Sequence, residues 1–596
     1  MRLTNVAHLR LPFGRLWGYD VVVGDRGAAL PVSFDQGRHV RAGDRPGSWM
    51  ALSFRLPGPV DRGHLATAWL AVVARHGTLR SVFSPGVDGD PVLHEVAVAP
   101  GAWVEHPVGP GQAVNDALRD VLDAACGPYQ RPSHRLCVLE TADGPTVVVG
   151  ADHAHVDMWS MLVVARDLLA ALAAVEAGTP PPTVPAAPFA EHTRALADRP
   201  LAPTDVRRRW TEVLEASGDV MPCFPMPLGD VAAPQRERVE VRDVLDVDAA
   251  AAIGIQAREL GVSTLALVVS AMTEVTRDLA GGPLRAVFPV HSRTPTPDSG
   301  ATWHDSVGWF ITNSVLESTD PDPAACAAAV KEAVRLGSWP LADVLAPWGG
   351  MPAAPGMFAV SWLDLRRLPV RVDATGLEAQ YVGAAIRTDG VMLWFVLDES
   401  GLHLRCRYPD TAEARRNVGG WLDALVARLR AEARASVGGR LRLGGRTYRV
   451  ERAARADVPA LVALLADDEI SRPREGAELA HYEAAYDAVA RDPAHLLAVV
   501  REEGGDGAVV GTFQLTVLPG LSRSGATRLQ VEGVRVATGH RADGLGTAML
   551  EWAHAHGVAR GARLAQLTTD RERDRAQAFY ARLGYTDSHV GMKRPL

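Results

Sequence analysis

Two short stretches hold residues whose types and spacing can do chemistry. Val147–Met161 reads VVVGADHAHVDMWSM: a β-branched run, a loop with His153 and Asp157, then a helical pattern starting near Trp159. Imidazole titrates near neutrality, so a histidine held rigidly at a strand end can orient or deprotonate an attacking amine or hydroxyl. His-x-x-x-Asp is a weak motif, expected roughly once by chance in such a chain, and this is its single occurrence. The same residues, His153-Ala-His155-Val-Asp157, also fit part of an H-x-H-x-D-H metal pattern, with Met158 where the last histidine belongs. The second stretch, Val534–Met549, reads VRVATGHRADGLGTAM: a β-run, the loop Arg541–Gly546, then a helix. Glycines there let backbone N–H groups approach a pyrophosphate, and the helix N-terminus favours its negative charge. A dinucleotide or Walker reading fails because neither G-x-G-x-x-G nor G-K-[ST] is present.

The elements that must position these residues alternate along the chain. Helical spacing predicts helices over Gly63–His76, Asp116–Cys126, Met161–Ala177, Asp248–Leu260, Ser263–Leu279, Asp457–Ala466 and Gly544–Ala559. Strands are expected at Thr146–Gly150, Leu284–Val290, Met392–Leu397, Thr447–Arg452, His495–Arg501, Val509–Val517 and Leu529–Val536. The class is α/β (α+β) throughout. Five prolines in Gly178–Pro188 and the glycine-rich run Arg434–Gly445, after a helical pattern from Asn417, divide the chain. The resulting units are 1–435, with an N-lobe to about 177 and a C-lobe from about 190, and 445–596.

Composition bounds the function. With 596 residues, 47% hydrophobic and 22% charged, the chain has ample core material for several domains. A net charge of −8 argues against non-specific nucleic-acid binding. Five cysteines without a C-x-x-C pair suit a reduced protein. Met1–Gly24 offers no signal-peptide core. The best membrane-span candidate, Gly261–Met272, is too short and reads as a buried helix. A cytoplasmic protein with neither membrane nor nucleic-acid partner is expected.

The first unit resembles the condensation-domain superfamily of non-ribosomal peptide synthesis, which includes freestanding acyltransferases and chloramphenicol-acetyltransferase-like folds. The resemblance runs in order through Pro31-Val-Ser-Phe-Asp-Gln36, Leu56–Phe83, Asp152–Ser160 (against HHxxxDGWS), His291-Ser-Arg293 and Val307–Leu316. It implies two chloramphenicol-acetyltransferase-like lobes in a V around a tunnel, with His153 as the active-site histidine and Asp157 paired structurally with Arg293. It also implies an acyl thioester on phosphopantetheine, brought in trans by an acyl- or peptidyl-carrier protein, and a small amine or alcohol acceptor. Asp152 replaces the family's first histidine and Met158 its glycine. The second of these places bulk beside the implied pantetheine channel, so a binding-only half is the alternative to a catalytic one.

Residues 445–596 resemble the GNAT acyl-CoA N-acetyltransferases through Tyr448–Leu465, Val510–Leu515, the [Q/R]xxGx[G/A] loop and Ala576–Tyr585. The resemblance implies acetyl-CoA as donor. Val534 and Val536 would hold the pantetheine arm, and Arg541, Ala542, Asp543, Gly544, Leu545 and Gly546 the pyrophosphate. Tyr580 would act as the acid toward the departing thiolate and Glu532 as the base for the amine. No resident metal is expected.

Overall fold

The computed structural model describes residues 1–86, 89–141, 144–182, 184–293, 303–435, 439–467, 472, 475–492, 494–589, 591–592 and 594. The chain packs as two compact units, Met1–Val244 with Leu265–Val426, and Leu245–Thr264 with Ala427–Leu596. Residues 245–264, inside the stretch read from sequence as the C-lobe, cluster with the second unit. There Asp248 on helix Val247–Glu259 pairs with Arg452 at 3.0 Å and Arg560 at 2.6 Å.

The first unit holds two sheets. The eight-stranded one runs Arg2–Asn5, Gln380–Gly383, Trp49–Arg55, Thr146–Asp152, His134–Glu140, Arg15–Leu30, Pro91–His106 and Ser81–Pro85. Side chains alternate across a strand, and Thr146–Asp152 uses both faces. Val147 and Val149 enter the core shared with helices Arg62–Arg75 and Met158–Glu176, while Val148 enters the core shared with helix Val114–Ala125. A strand buried on both sides is stiff, which suits it to carry His153 at its end. Strand Gln380–Gly383 comes from far along the chain to pair parallel with Arg2–Asn5 and antiparallel with Trp49–Arg55.

The second sheet runs Ile311–Ser318, Leu284–His291, Phe358–Asp364, Val391–Asp398, Gly401–Pro409, Gln235–Leu245 and Arg387–Thr388. The sequence candidate for a membrane span falls in helix Thr264–Ala280, whose central residues are buried. Among the described residues the helix long and apolar enough to cross a membrane is instead Met158–Glu176. Leu162, Val163, Val164 and Leu168 bury it in the unit's core.

In the second unit one six-stranded sheet runs Arg440–Leu443, Arg446–Arg452, His495–Glu502, Val509–Leu518, Thr527–Val536 and Ala562–Leu567. Every pairing is antiparallel except the last, which is parallel. Helix Leu545–Ala559 packs Leu545, Met549, Leu550 and Ala553 onto this sheet around Phe513.

Candidate functional site

His153 follows directly on the central strand, its N–H bonded to the Ser48 carbonyl at 3.0 Å. The loop after it is tied down by the P-x-S-x-x-Q segment. Ser33 and Gln36 form a reciprocal capping box on helix Phe34–Arg41, which leaves the Gln36 amide free to donate to the Ala154 carbonyl at 2.8 Å. The half-buried His153 ring lies over the Trp309 indole at 4.4 Å between centroids. Among the described residues its Nδ1 is buried without a partner in another residue, which leaves Nε2 as the nitrogen that could meet a substrate. Burial above all, and then the neighbouring His39, lowers the pKa of His153. A neutral imidazole can accept a proton.

Asp157 does not face a reactant. Its side chain, 2% exposed, pairs with Arg293, 1% exposed, at 3.1 Å. It also accepts from the Ser160 N–H at 2.6 Å, capping helix Met158–Glu176, and from the Phe310 N–H at 3.0 Å. Arg293 completes the clamp by donating to the carbonyls of Trp303 and Ser306 and to the Ser160 hydroxyl, with Phe310 under its guanidinium at 4.0 Å. Gly308 is needed here, because a Cβ would lie 2.4 Å from the Phe189 ring. This engagement removes Asp157 from a metal site with His153 and His155. Among the described residues no group of three His, Cys, Asp or Glu side chains is placed to hold a metal.

The structure explains both departures from the condensation pattern. Asp152 is fully buried, accepts from the Ala154 N–H at 2.9 Å and lies 3.2 Å from His39 Nε2. Arg45 donates to the other ring nitrogen of His39 at 3.0 Å. The histidine missing at position 152 is thus replaced by a carboxylate holding a histidine from helix Phe34–Arg41, whose ring centroid lies 6.2 Å from that of His153. The Met158 side chain packs against the large core cluster, and its carbonyl accepts from the Tyr381 hydroxyl at 2.8 Å. Sequence reasoning did not find His39, Trp309 or Tyr381 as site residues. Trp309 lies inside a motif already noted, whereas no spacing signal ties His39 or Tyr381 to His153.

In the second unit, the pairing of Thr527–Val536 with Ala562–Leu567 ends at Val531↔Leu567, although the first strand continues to Val536. Gly533, at φ +62°, lies just past that point. Among the described residues the backbone of Glu532–Val536 therefore has no strand partner on that side, while the Val534 and Val536 side chains stay against the core. Glu532 is exposed, opposite Gln514. In the loop, Ala542 at φ +74° and Gly544 at φ +84° turn the chain into helix Leu545–Ala559. Among the described residues no side chain caps that helix, so its first N–H groups remain available to an anion.

Arg541 is committed elsewhere, donating to the Val536 carbonyl at 2.9 Å and to Asp467 at 2.8 Å. It fixes the loop, and the backbone is what remains for phosphates. Asp543 is exposed, 3.8 Å from Arg446. Leu545 is buried, and Gly546 lies under the Phe579 ring. Tyr580, on helix Asp574–Arg582, is half-buried beside Phe579 and Tyr585. Burial raises its pKa, opposed by Arg535 and Arg573. The splayed strand and uncapped helix fit an acyl-CoA pantetheine and pyrophosphate.

Residues 460–585 match the family model described as Acetyltransferase (GNAT) family. Over 420 residues the chain is 24% identical to the acyltransferase PapA3 of Mycobacterium tuberculosis, covering 66% of this chain and 88% of that protein. It is 27% identical over 313 residues to the isonitrile lipopeptide synthase of the same species, covering 50% of this chain and 12% of that protein. Among solved structures, PapA2 acyl transferase aligns at a TM-score of 0.63 and 20% identity, covering 73% of this chain and all of that one. The first condensation domain of the CDA synthetase aligns at 0.53 and 17%, covering 69% of this chain and 97% of that one. At these identities the structural likenesses establish the fold.

Proposed function

We infer that this chain, a condensation-like domain joined to a C-terminal GNAT domain, is a two-module acyltransferase of natural-product biosynthesis. Its first unit forms an amide or ester from an acyl thioester presented by a carrier protein in trans or by CoA. Its second unit N-acetylates an amine from acetyl-CoA. The observation that carries this reading is His153, buried enough to stay neutral and locked at a strand end by Ser48, Gln36 and Trp309.

Nε2 of His153 takes the proton of the attacking amine or hydroxyl, and Asp157 and Arg293 hold the loop without touching the reactants. The thioester, when bound, supplies an activated acyl carbonyl with a thiolate leaving group. In the second unit the N–H groups at the start of helix Leu545–Ala559 and the backbone of Val534 and Val536 bind and orient the donor. Glu532 accepts the amine proton, and the Tyr580 hydroxyl, kept protonated by burial, donates toward the departing sulfur. A second reading, in which the first unit only docks a carrier-bound substrate, is favoured by one observation: Met158 stands where a bare backbone is expected.

The test is acyl transfer followed by mass spectrometry with the full chain, charged carrier or acyl-CoA donors and an amine and alcohol panel. His153→Ala should abolish one product series and Tyr580→Phe should slow the other. If His153→Ala changes no product, the docking reading replaces catalysis by the first unit.

A further inference from the structure

Strand Gly401–Pro409 carries Arg405 and Arg407 on one face, two residues apart. Both guanidiniums lie over the ring of Trp394, on the neighbouring strand Val391–Asp398, at 4.9 and 5.3 Å from its centroid. Arg405 is only 5% exposed. Its Nε and Nη2 are buried and meet no acceptor among the described residues, and the same holds for Nε of Arg407. Among the described residues Nη2 of Arg407 reaches only the weak acceptor Met392 Sδ, at 2.9 Å.

Among the described residues the carboxylate of Glu237 pairs with Arg407, at 4.0 Å. It spends Oε1 on the Asn5 amide at 3.0 Å, and its Oε2 makes no hydrogen bond among the described residues. The two cations, Arg405 buried and Arg407 half-buried, therefore share one distant anion. A buried charge left so poorly paired is unfavourable, and burial followed by the proximity of Arg407 pushes Arg405 down to about 10.

The free edge of Arg405 has a definite geometry. Nε–H and Nη2–H point the same way, a fork that takes two oxygens of one group. Elsewhere in this molecule that edge does so: Arg15 grips Glu105 through Nε and Nη2 at 2.8 Å each, and Arg335 grips Glu332 at 2.7 Å each. Gly383 backs the site, since a Cβ there would lie 2.9 Å from Arg405 Nη1. The fork itself is covered, but Arg407, Trp394, Met392 and Ser361 around it are all half-buried, so a ligand reaches it by displacing side chains that already border solvent.

We propose that Arg405 and Arg407, laid over Trp394, form a subsite of the first unit that binds an oxyanion, the carboxylate or phosphate group of a substrate. The subsite does not depend on His153 acting as a base, and binding is read without turnover.

The test is thermal denaturation of the full chain with increasing inorganic phosphate, or glutarate, against chloride at matched ionic strength. A saturable rise in Tm with phosphate alone identifies a phosphate group, and a rise with glutarate alone identifies a carboxylate. Arg405→Met should weaken that binding about tenfold or more. Glu237→Gln, which removes the competing carboxylate and keeps its shape, should tighten it about fivefold, and this arm decides the matter if Arg405→Met does not fold. No saturable rise with either anion overturns the proposal. So does a rise that both variants leave unchanged, because the anion then binds elsewhere.

Discussion

Replacing Asp157 by alanine should cost the first unit a large part of its margin of stability without touching a reacting atom. The carboxylate satisfies a guanidinium that is 1% exposed, caps a 19-residue helix and receives the Phe310 N–H. Leaving the partner of a buried ion pair uncompensated costs about 3–5 kcal/mol, and loss of an N-cap about 1 kcal/mol. Whole domains are stable by roughly 5–15 kcal/mol. Urea unfolding followed by intrinsic fluorescence reads this unit, since of the 14 tryptophans only Trp552 belongs to the other. We expect Asp157→Ala to lower the unfolding free energy by about 4 kcal/mol with the slope unchanged. Asp157→Leu combined with Arg293→Met removes both charges and should be less damaging than the sum of the single changes by about 2 kcal/mol or more. A loss below about 1 kcal/mol for Asp157→Ala, or strict additivity in the pair, would refute the clamp.

His153→Ala should reduce acyl transfer by the first unit by about 100-fold or more while shifting its unfolding free energy by under about 1 kcal/mol; rate and urea midpoint are measured on one preparation. Burial lowers His134 and His192 to about 4, below the ordinary 6.5 that holds in the unfolded chain. Below pH 6.5 the unfolded state therefore binds more protons, and stability falls as pH drops toward 4, by up to ~3 kcal/mol for each histidine. Acid unfolding of the first unit should accordingly have its midpoint above pH 4, which fluorescence against pH checks. Gly544→Val imposes a β-branched residue at φ +84°, which is expected to cost about 1–3 kcal/mol and to misalign the N–H groups at the helix start. Affinity for acetyl-CoA should drop at least about tenfold.

Much of this architecture was legible in the sequence. Thirteen-residue and longer amphipathic runs gave helices within a few positions of those seen, as with Gly63–His76 against Arg62–Arg75 and Ser263–Leu279 against Thr264–Ala280. The helical pattern points to a start between Trp159 and Met161, one to three residues past the observed Met158, because the cap is the motif aspartate itself. The order of the motifs indicated a shared fold, yet their individual jobs were hidden. Gln36 holds the Ala154 carbonyl across 118 positions, and Phe310 reaches Asp157 across 153. Such contacts join strand ends and loops that no periodicity relates. His39 was invisible for the same reason, since it answers the substitution at Asp152 from a different element. The placement of residues 245–264 with the second unit was equally hidden. It is fixed by ion pairs from Asp248 to Arg452 and Arg560, more than 200 positions away.

The central claim is that two distinct acyl-transfer sites share one chain, with acetyl-CoA bound by the Arg541–Gly546 loop rather than by the unit that carries His153. Calorimetric titration of acetyl-CoA into the full chain, the Gly544→Val variant and the His153→Ala variant tests it most directly. One site per chain, lost in Gly544→Val and intact in His153→Ala, is the predicted result. Binding that survives Gly544→Val and disappears in His153→Ala would contradict the account.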